Sequence, residues 1–357
     1  MTTPVPIIDS HIHLYPASEL DTIAWADPSS PLYKQHSITE YRAAIAPCHD
    51  LVSGFIFLET DRKSDALSST AAPDSEAWRY ALQEVSYLAR VASGQPRDGE
   101  GHEAEDKDLC LGIVPWAPVP AGAEALARYV DAVRETCARD GGGEAWAKVK
   151  GFRYLLQDKP ARTMLDDKFI EGLKVLGKRG LVFDVGVDLH RRGRAQLEEV
   201  VEMVDRAHGG VPEGEKVTFV LNHLCKPDLT TLHPSDPAFI AWRTAMFTLS
   251  KADNVYMKLS GAFSEMSPTL RQQPANDIFE STMSWLAVVV AAFGPSRIMF
   301  GSDWPVCTVG VEEGEDGQEG AWEKWRKVVD RLCWMSSFSD EEKKMVFAGT
   351  ARRAYNI

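Results

Sequence analysis

The stretch VTFVLNHL, residues 217–224, is apolar at odd and even positions alike until it reaches Asn222 and His223. Successive strand side chains point to opposite faces, so a strand that is apolar on both must be covered on both. That is the condition of a parallel sheet buried under helices. LVFDVGV at 181–187 reads the same way. Working outward, similar apolar, β-branched runs recur at 7–14, 51–60, 109–115, 149–156, 255–260 and 298–302, making eight candidate strands.

The segments between them, 76–92, 123–139, 167–179, 194–207, 237–251, 278–293 and 322–335, space their apolar residues three or four apart, as amphipathic helices do. A last helix is expected near 340–348, where Ser339 precedes Glu342 by three residues in the manner of a capping box. Eight strands alternating with helices predict an α/β fold, a (β/α)8 TIM barrel with long βα loops, formed by 1–357 as one domain. The long loops fall at about 16–47, 94–108 and 309–320, the last two polar and glycine-rich.

Composition narrows the function. The 357 residues are 44% hydrophobic and 25% charged, ordinary for a large core. A formal charge of −13 and the lack of a basic block with interleaved aromatics argue against nucleic acid and anionic membrane as partners, and point to a small molecule. No apolar run approaches the ~20 residues that a membrane span needs. The six cysteines are scattered without a C-x-x-C pair, and the start lacks a basic segment followed by a long apolar run, so reduced thiols in the cytoplasm are expected. A homo-oligomer is left open.

Polar residues gather where the strands end. Asp9-Ser-His11-Ile-His13 closes the first run, and residues two apart on a strand face the same way, so both imidazoles should face the barrel mouth. Such a pair suits two ligands of one metal or two donors on one substrate oxygen; a lone H-x-H also arises by chance. Gly301-Ser-Asp303-Trp304-Pro ends the eighth run, placing Asp303 at the end that barrel enzymes use for catalysis, as a general base or as a carboxylate capping the next turn. Arg153 and Tyr154, His223 with Lys226, and Lys258 lie at or near other strand ends, and accident would scatter such residues over both faces. Glu59 could add an oxygen ligand or be a surface carboxylate. Trp304, beside Asp303, and Trp25, in the long first loop, are the tryptophans placed to line a pocket; the others suit packing. The remaining histidines, in loops and helix ends, suit solvated or hydrogen-bonded roles.

"IIDSHIHLY", "VKGFRYLLQD", "FVLNHLCKPDL", "VYMKLSG" and "IMFGSDWPV" together give the chain a resemblance, over nearly its whole length, to the metal-dependent amidohydrolase superfamily. It is similar to the sugar-lactonase branch (rhamnono- and fuconolactonases) and to pyrone-dicarboxylate lactonases. The resemblance implies lactone hydrolysis, with His11, His13 and His223 binding metal or polarising the carbonyl, Asp303 activating water, and Arg153 binding an oxygen-rich substrate. It implies one divalent cation, zinc by preference, with metal-free catalysis as the alternative; His11, His13, Asp303 and Glu59 are the expected ligands. Relatives with full metal centres carry a histidine on the fifth strand, where this chain has Phe183 and Asp184, so a binuclear site is not expected. Lys150 matches the bridging lysine of binuclear relatives only in part, because its parity differs from that of Arg153 and both cannot face inward on a regular strand. Arg153, Tyr154, Lys258, Trp304 and Trp25 are the expected substrate contacts. Two rivals remain: a decarboxylase of an aromatic or enoic acid using the same residues, told apart by carbon dioxide release, and a barrel that only binds, which predicts a degraded site.

Overall fold

The computed structural model describes residues 5–67, 76–231, 233–311 and 320–357. Each apolar run contains one strand: β1 (Ile7–Ile12), β2 (Val52–Leu58), β3 (Cys110–Val114), β4 (Gly151–Arg153), β5 (Val182–Val185), β6 (Phe219–Leu221), β7 (Val255–Leu259) and β8 (Ile298–Phe300). All pair in parallel and in chain order, β1 to β3 and β4 to β8. Two seams close the ring. Lys150 N–H donates to Ile113 O (3.0 Å) and Arg153 N–H to Pro115 O (2.9 Å); at the other seam Asp303 N–H donates to His11 O (2.9 Å) and His13 N–H to Trp304 O (2.8 Å). The result is the expected TIM barrel, in which closure leaves no open edge.

The helices cross over outside: α1 (Ile38–Ala44), α2 (Glu76–Ser93), α3 (Ala123–Ala147), α4 (Asp167–Lys178), α5 (Arg194–His208), α6 (Pro237–Leu249), α7 (Ala275–Phe293) and α8 (Ala321–Met335). Helix α3 runs eight residues beyond the expected end at 139, through three glycines that read as a stop. Gly142 leaves helical geometry (φ 67°), but Gly141 sits so close to the Ala89 carbonyl of α2 that a β-carbon would not fit. Gly141 thus serves close helix packing, while Gly142 breaks the helix at a kink, beyond which a second helical segment continues to Ala147. The chain's last helical stretch also outruns its expected end at 348: Asp340–Lys344 starts at the anticipated Ser339–Glu342 capping box, passes through a π turn at Met345–Gly349 and continues as Thr350–Tyr355.

Two apolar layers account for strands that are hydrophobic on both faces. Outward side chains such as Phe152, Phe183 and Phe219 pack under the helices. Inward ones, among them Ile8, Leu58, Val182, Val220 and Met299, fill the barrel together with Ala351, Ala354 and Tyr355 from the chain's end. Each such side chain contributes roughly 1.5–3 kcal/mol by leaving water. Lys150 Nζ donates to Asn356 O (3.1 Å) and Thr350 Oγ to Pro295 O (3.0 Å), just before β4 and β8, so the tail plugs the barrel's amino-terminal end. Lys150 is therefore engaged at this end and does not join Arg153 at the mouth.

The first long loop, 16–47, contains α1 and a 3-10 turn at Ala17–Thr22 and brings Trp25 and Leu32 over the opposite end. The loop at 94–108 is ordered by buried charge: Glu100 accepts from Arg90 (Nε to Oε1, 2.9 Å) and contacts His102 Nε2 (3.2 Å). Most of the third loop, 312–319, lies outside the described residues.

Candidate active site

A cavity of about 220 Å³ opens at the carboxyl-terminal mouth of the barrel. At its base the ends of β1, β6 and β8 bring three imidazoles onto one carboxylate oxygen. Asp303 Oδ1 lies 3.4 Å from His11 Nε2, 3.5 Å from His13 Nε2 and 3.7 Å from His223 Nε2. The two β1 histidines share a face as alternation requires. Asp9 should share it too, but a register irregularity between Asp9 and Ile12 turns it outward, where it accepts from Ser302 N–H (2.8 Å), Trp322 Nε1 (2.7 Å) and Tyr41 OH (3.1 Å).

Two of the three rings are oriented from behind. His13 Nδ1 meets Leu58 O at 2.9 Å, and because a carbonyl only accepts, Nδ1 carries the proton and Nε2 is bare when the ring is neutral. His223 Nδ1 meets Ser260 Oγ at 2.9 Å. Gly261 stands against that ring with φ 58°, where a β-carbon would collide with His223 Nδ1, so the position takes only glycine. Both ring nitrogens of His11 are buried with no hydrogen-bond partner among the described residues.

Burial holds His11 far below the ordinary imidazole range, helped by repulsion from His223 and Lys258, and pushes His223 down to about 3 against the attraction of Asp303. Burial alone would raise the Asp303 carboxyl, but the surrounding imidazoles, His223 first and then His13, outweigh it and keep it below the usual value. Three imidazole nitrogens, two of them on rings that burial holds neutral, thus surround a carboxylate oxygen, an arrangement that a proton or cation among them would stabilise. Two donors held 2.0–2.1 Å from a tetrahedral zinc are roughly 3.4 Å apart. The spacings fit. His11, His13 and Asp303 form the one group of three whose ligand atoms lie within 4.8 Å of one another among the described residues.

Arg153, Lys226, Gln157 and Asp61 supply the rest of the polar wall, with Trp25 and Leu155 among the apolar lining. Arg153 is held from behind, Nε to Glu59 Oε1 (2.7 Å) and Nη2 to Glu59 O (2.6 Å). Glu59 is fully buried, and its other oxygen takes the Asp61 N–H, so it anchors Arg153 and stands outside the three-residue group.

Of the expected substrate contacts, Arg153 and Trp25 line the cavity. Three others do not. Tyr154 follows Arg153 on a strand and so faces out, packing on Phe169 and Lys159. Trp304 turns back onto Tyr41 and His36. Lys258 does face the barrel interior, but a layer below the cavity, bound to Asp184 Oδ1 at 2.6 Å. Lys226, Gln157 and Asp61 were not singled out as contacts, although Lys226 stood in the "NHLCKPD" motif. For Lys226 and Asp61 the turns explain why: His223, Leu224, Cys225 and Lys226 all have positive φ, as do Asp61 and Asp303. In that region strand alternation says nothing about where a side chain points.

A parallel eight-stranded barrel with a histidine–carboxylate centre at its carboxyl-terminal mouth defines a class of barrel enzymes that handle polar small molecules. The chain belongs to the amidohydrolase family, whose profile matches residues 8–357. It is 31% identical over 362 residues to the L-rhamnono-gamma-lactonase of Scheffersomyces stipitis, spanning 98% of each protein. To the L-fucono-1,5-lactonase of Burkholderia multivorans it is 33% identical over 215 residues, 59% of this chain and 64% of that one. A crystal structure of a Burkholderia multivorans amidohydrolase with bound zinc superposes with a TM-score of 0.68 at 25% identity, over 99% of both chains.

Proposed function

We propose that the protein hydrolyses the ring ester of a sugar-acid lactone, as one domain and on a cytoplasmic small-molecule substrate. The observation that carries this is the convergence of His11, His13 and His223 Nε2 on Asp303 Oδ1 within 3.7 Å, at the base of a cavity walled by Arg153 and Lys226. The likeness to two sugar lactonases supports it.

Asp303 is the general base. Its carboxylate is ionised, buried and next to the space where water would stand, so it can accept a proton as the water oxygen bonds to the lactone carbonyl carbon. The same proton then goes to the ring oxygen as the acyl carbon–oxygen bond breaks, giving a hydroxy acid. Arg153, fixed by Glu59, holds substrate oxygens; His223, fixed by Ser260, faces the reacting carbonyl. His11, His13 and Asp303 would hold a divalent cation, zinc by ligand type, which when bound supplies Lewis-acid polarisation and a lowered water pKa.

Ring opening of a panel of aldonolactones, followed with a pH indicator before and after chelation and metal return, tests the proposal. Hydrolysis of at least one lactone is expected, with loss on chelation and recovery with zinc. Full activity after exhaustive chelation would remove the cation and leave the histidines to polarise the carbonyl. No hydrolysis by zinc-replete, folded protein would remove the lactonase, and carbon dioxide release from a carboxylic acid would put a decarboxylase in its place.

A further inference from the structure

The side of the cavity lined by Trp25 and Asp61 is built differently. Trp25 is 38% exposed, yet its indole is pinned by Nε1 donating to Thr60 O at 2.8 Å. The neighbouring Ala24 N–H donates to Asp61 O at 2.9 Å and Lys63 N–H to Thr22 O at 2.8 Å, so the first long loop is stitched to the segment after β2. Asp61 sits in that turn with φ 55°, its N–H bound by Glu59, and its carboxylate lines the cavity without a hydrogen-bond donor among the described residues. An ordered aromatic face beside an unengaged carboxylate presents an apolar platform and a pure acceptor.

A lactone's carbonyl and ring oxygen only accept, so they cannot satisfy Asp61; a hydroxyl can. Charge narrows the choice. The cavity's two cations, Arg153 and Lys226, are matched by two anions, Asp61 and Asp303, and Glu59 already neutralises Arg153 from behind. A second carboxylate held at this side of the cavity would face Asp61 and, ionised, could not donate to it. At about 220 Å³ the cavity holds about seven waters at roughly 30 Å³ each, room for one small ring.

We infer that Asp61 and Trp25 form a specificity subsite for neutral polyhydroxylated lactones, Asp61 accepting from a ring or side-chain hydroxyl and Trp25 covering a carbon–hydrogen face, and that lactones carrying a free carboxylate are rejected there. This deepens the lactone-opening proposal and rests on it. The surroundings of Asp61 stabilise its ionised form less than water does: burial and Glu59 push its carboxyl up to about 6, and a hydroxyl donor would offset that.

The test compares galactonolactone with galactarolactone, which differ by a hydroxymethyl against a carboxylate, in the wild type and in Asp61→Asn. The wild type should prefer the neutral lactone by at least tenfold in kcat/KM. Loss of a hydrogen bond to a charged group should lower the neutral rate by roughly 10–100-fold in D61N, mainly through KM, leaving galactarolactone equal or better. Trp25→Ala, at an exposed position, keeps the test alive if D61N melts early, and should raise KM for the neutral lactone alone. An unchanged preference in both variants overturns the subsite while the lactonase stands. Titration calorimetry with the non-hydrolysable galactonolactam separates the two ideas in the other direction. Binding that D61N abolishes, without turnover of any lactone, upholds the subsite and removes the lactonase; equal binding to wild type and D61N removes the subsite.

Discussion

The two ends of the barrel interior solve the burial of charge in opposite ways. At the floor, Asp184 accepts from Lys258 Nζ (2.6 Å) on one oxygen and Tyr355 OH (2.7 Å) on the other, and all three are buried on regular, paired strands or the plugging helix. At the mouth, three imidazole nitrogens crowd one carboxylate oxygen, and the turns that carry His223 and Asp303 are strained. Six of the nine non-glycine residues with positive φ among those described are Asp61, His223 to Lys226 and Asp303. Such conformers cost of order 1–3 kcal/mol each and persist where the surroundings over-determine them. The floor is arranged for stability and the mouth for an occupant the chain itself does not supply. Substitutions at the two ends should therefore separate activity from stability.

The largest effect is expected at Asp303. Asparagine tolerates its left-handed backbone (φ 65°) and keeps its shape, so Asp303→Asn removes the charge and the base but not the turn. Lactone opening should fall by roughly 10²–10⁴-fold, the usual worth of a positioned general base. The melting temperature should hold within a few degrees. A variant that unfolds early while its remaining folded fraction turns over normally would make Asp303 a structural residue and erase the contrast.

Lys258→Met is the converse. It leaves Asp184 buried with only Tyr355 as partner, and breaking a buried pair costs about 3–5 kcal/mol. Urea denaturation should show that loss, and adding Asp184→Leu should recover most of it, because removing both charges leaves neither orphaned. Folded Lys258→Met should still open lactone within a fewfold of wild type, since Lys258 does not line the cavity. Collapse of turnover in a well-folded Lys258→Met would mean that the floor sets the chemistry of the mouth.

The same contrast explains what the sequence could show. Regular strands obey alternation, so the eight apolar runs, the inward H-x-H pair and the outward parity of Lys150 relative to Arg153 could all be read in advance. Alternation also spoke against choosing both Arg153 and Tyr154, which are adjacent and face opposite ways. Depth along the barrel axis leaves no mark in a two-residue period, which is why Lys258 reads as a mouth residue although it lies a layer below. Past the last strand residue the period ends. Asp61 and Lys226 are aimed by left-handed turns, and Trp304 by the turn at Asp303, none of which composition or spacing announces. Asp9 departs from simple alternation for a related reason, since a register irregularity between Asp9 and Ile12 separates its facing from that of the two histidines.

The smallest effect is electrostatic and belongs to the mouth alone. Burial, with Glu59 adding repulsion, raises Asp61 from 3.8 to about 6. Between those values the folded protein holds the proton that the unfolded chain has released, so Asp61 favours folding at low pH. Its contribution is lost as pH rises toward 6, and the cost of ionising it stays in place above. Other carboxylates, held by partners, act in the reverse sense, so the measurement must be a difference: stability of the wild type minus that of Asp61→Asn, by denaturation from pH 4 to 7. That difference should decline across the window and flatten above about 6. A flat difference throughout would place Asp61 in ordinary solvent contact and weaken the distinction between a strained, charge-poised mouth and a satisfied floor. A bound neutral polyol should shrink the decline, because a hydroxyl donating to the carboxylate stabilises its ionised form.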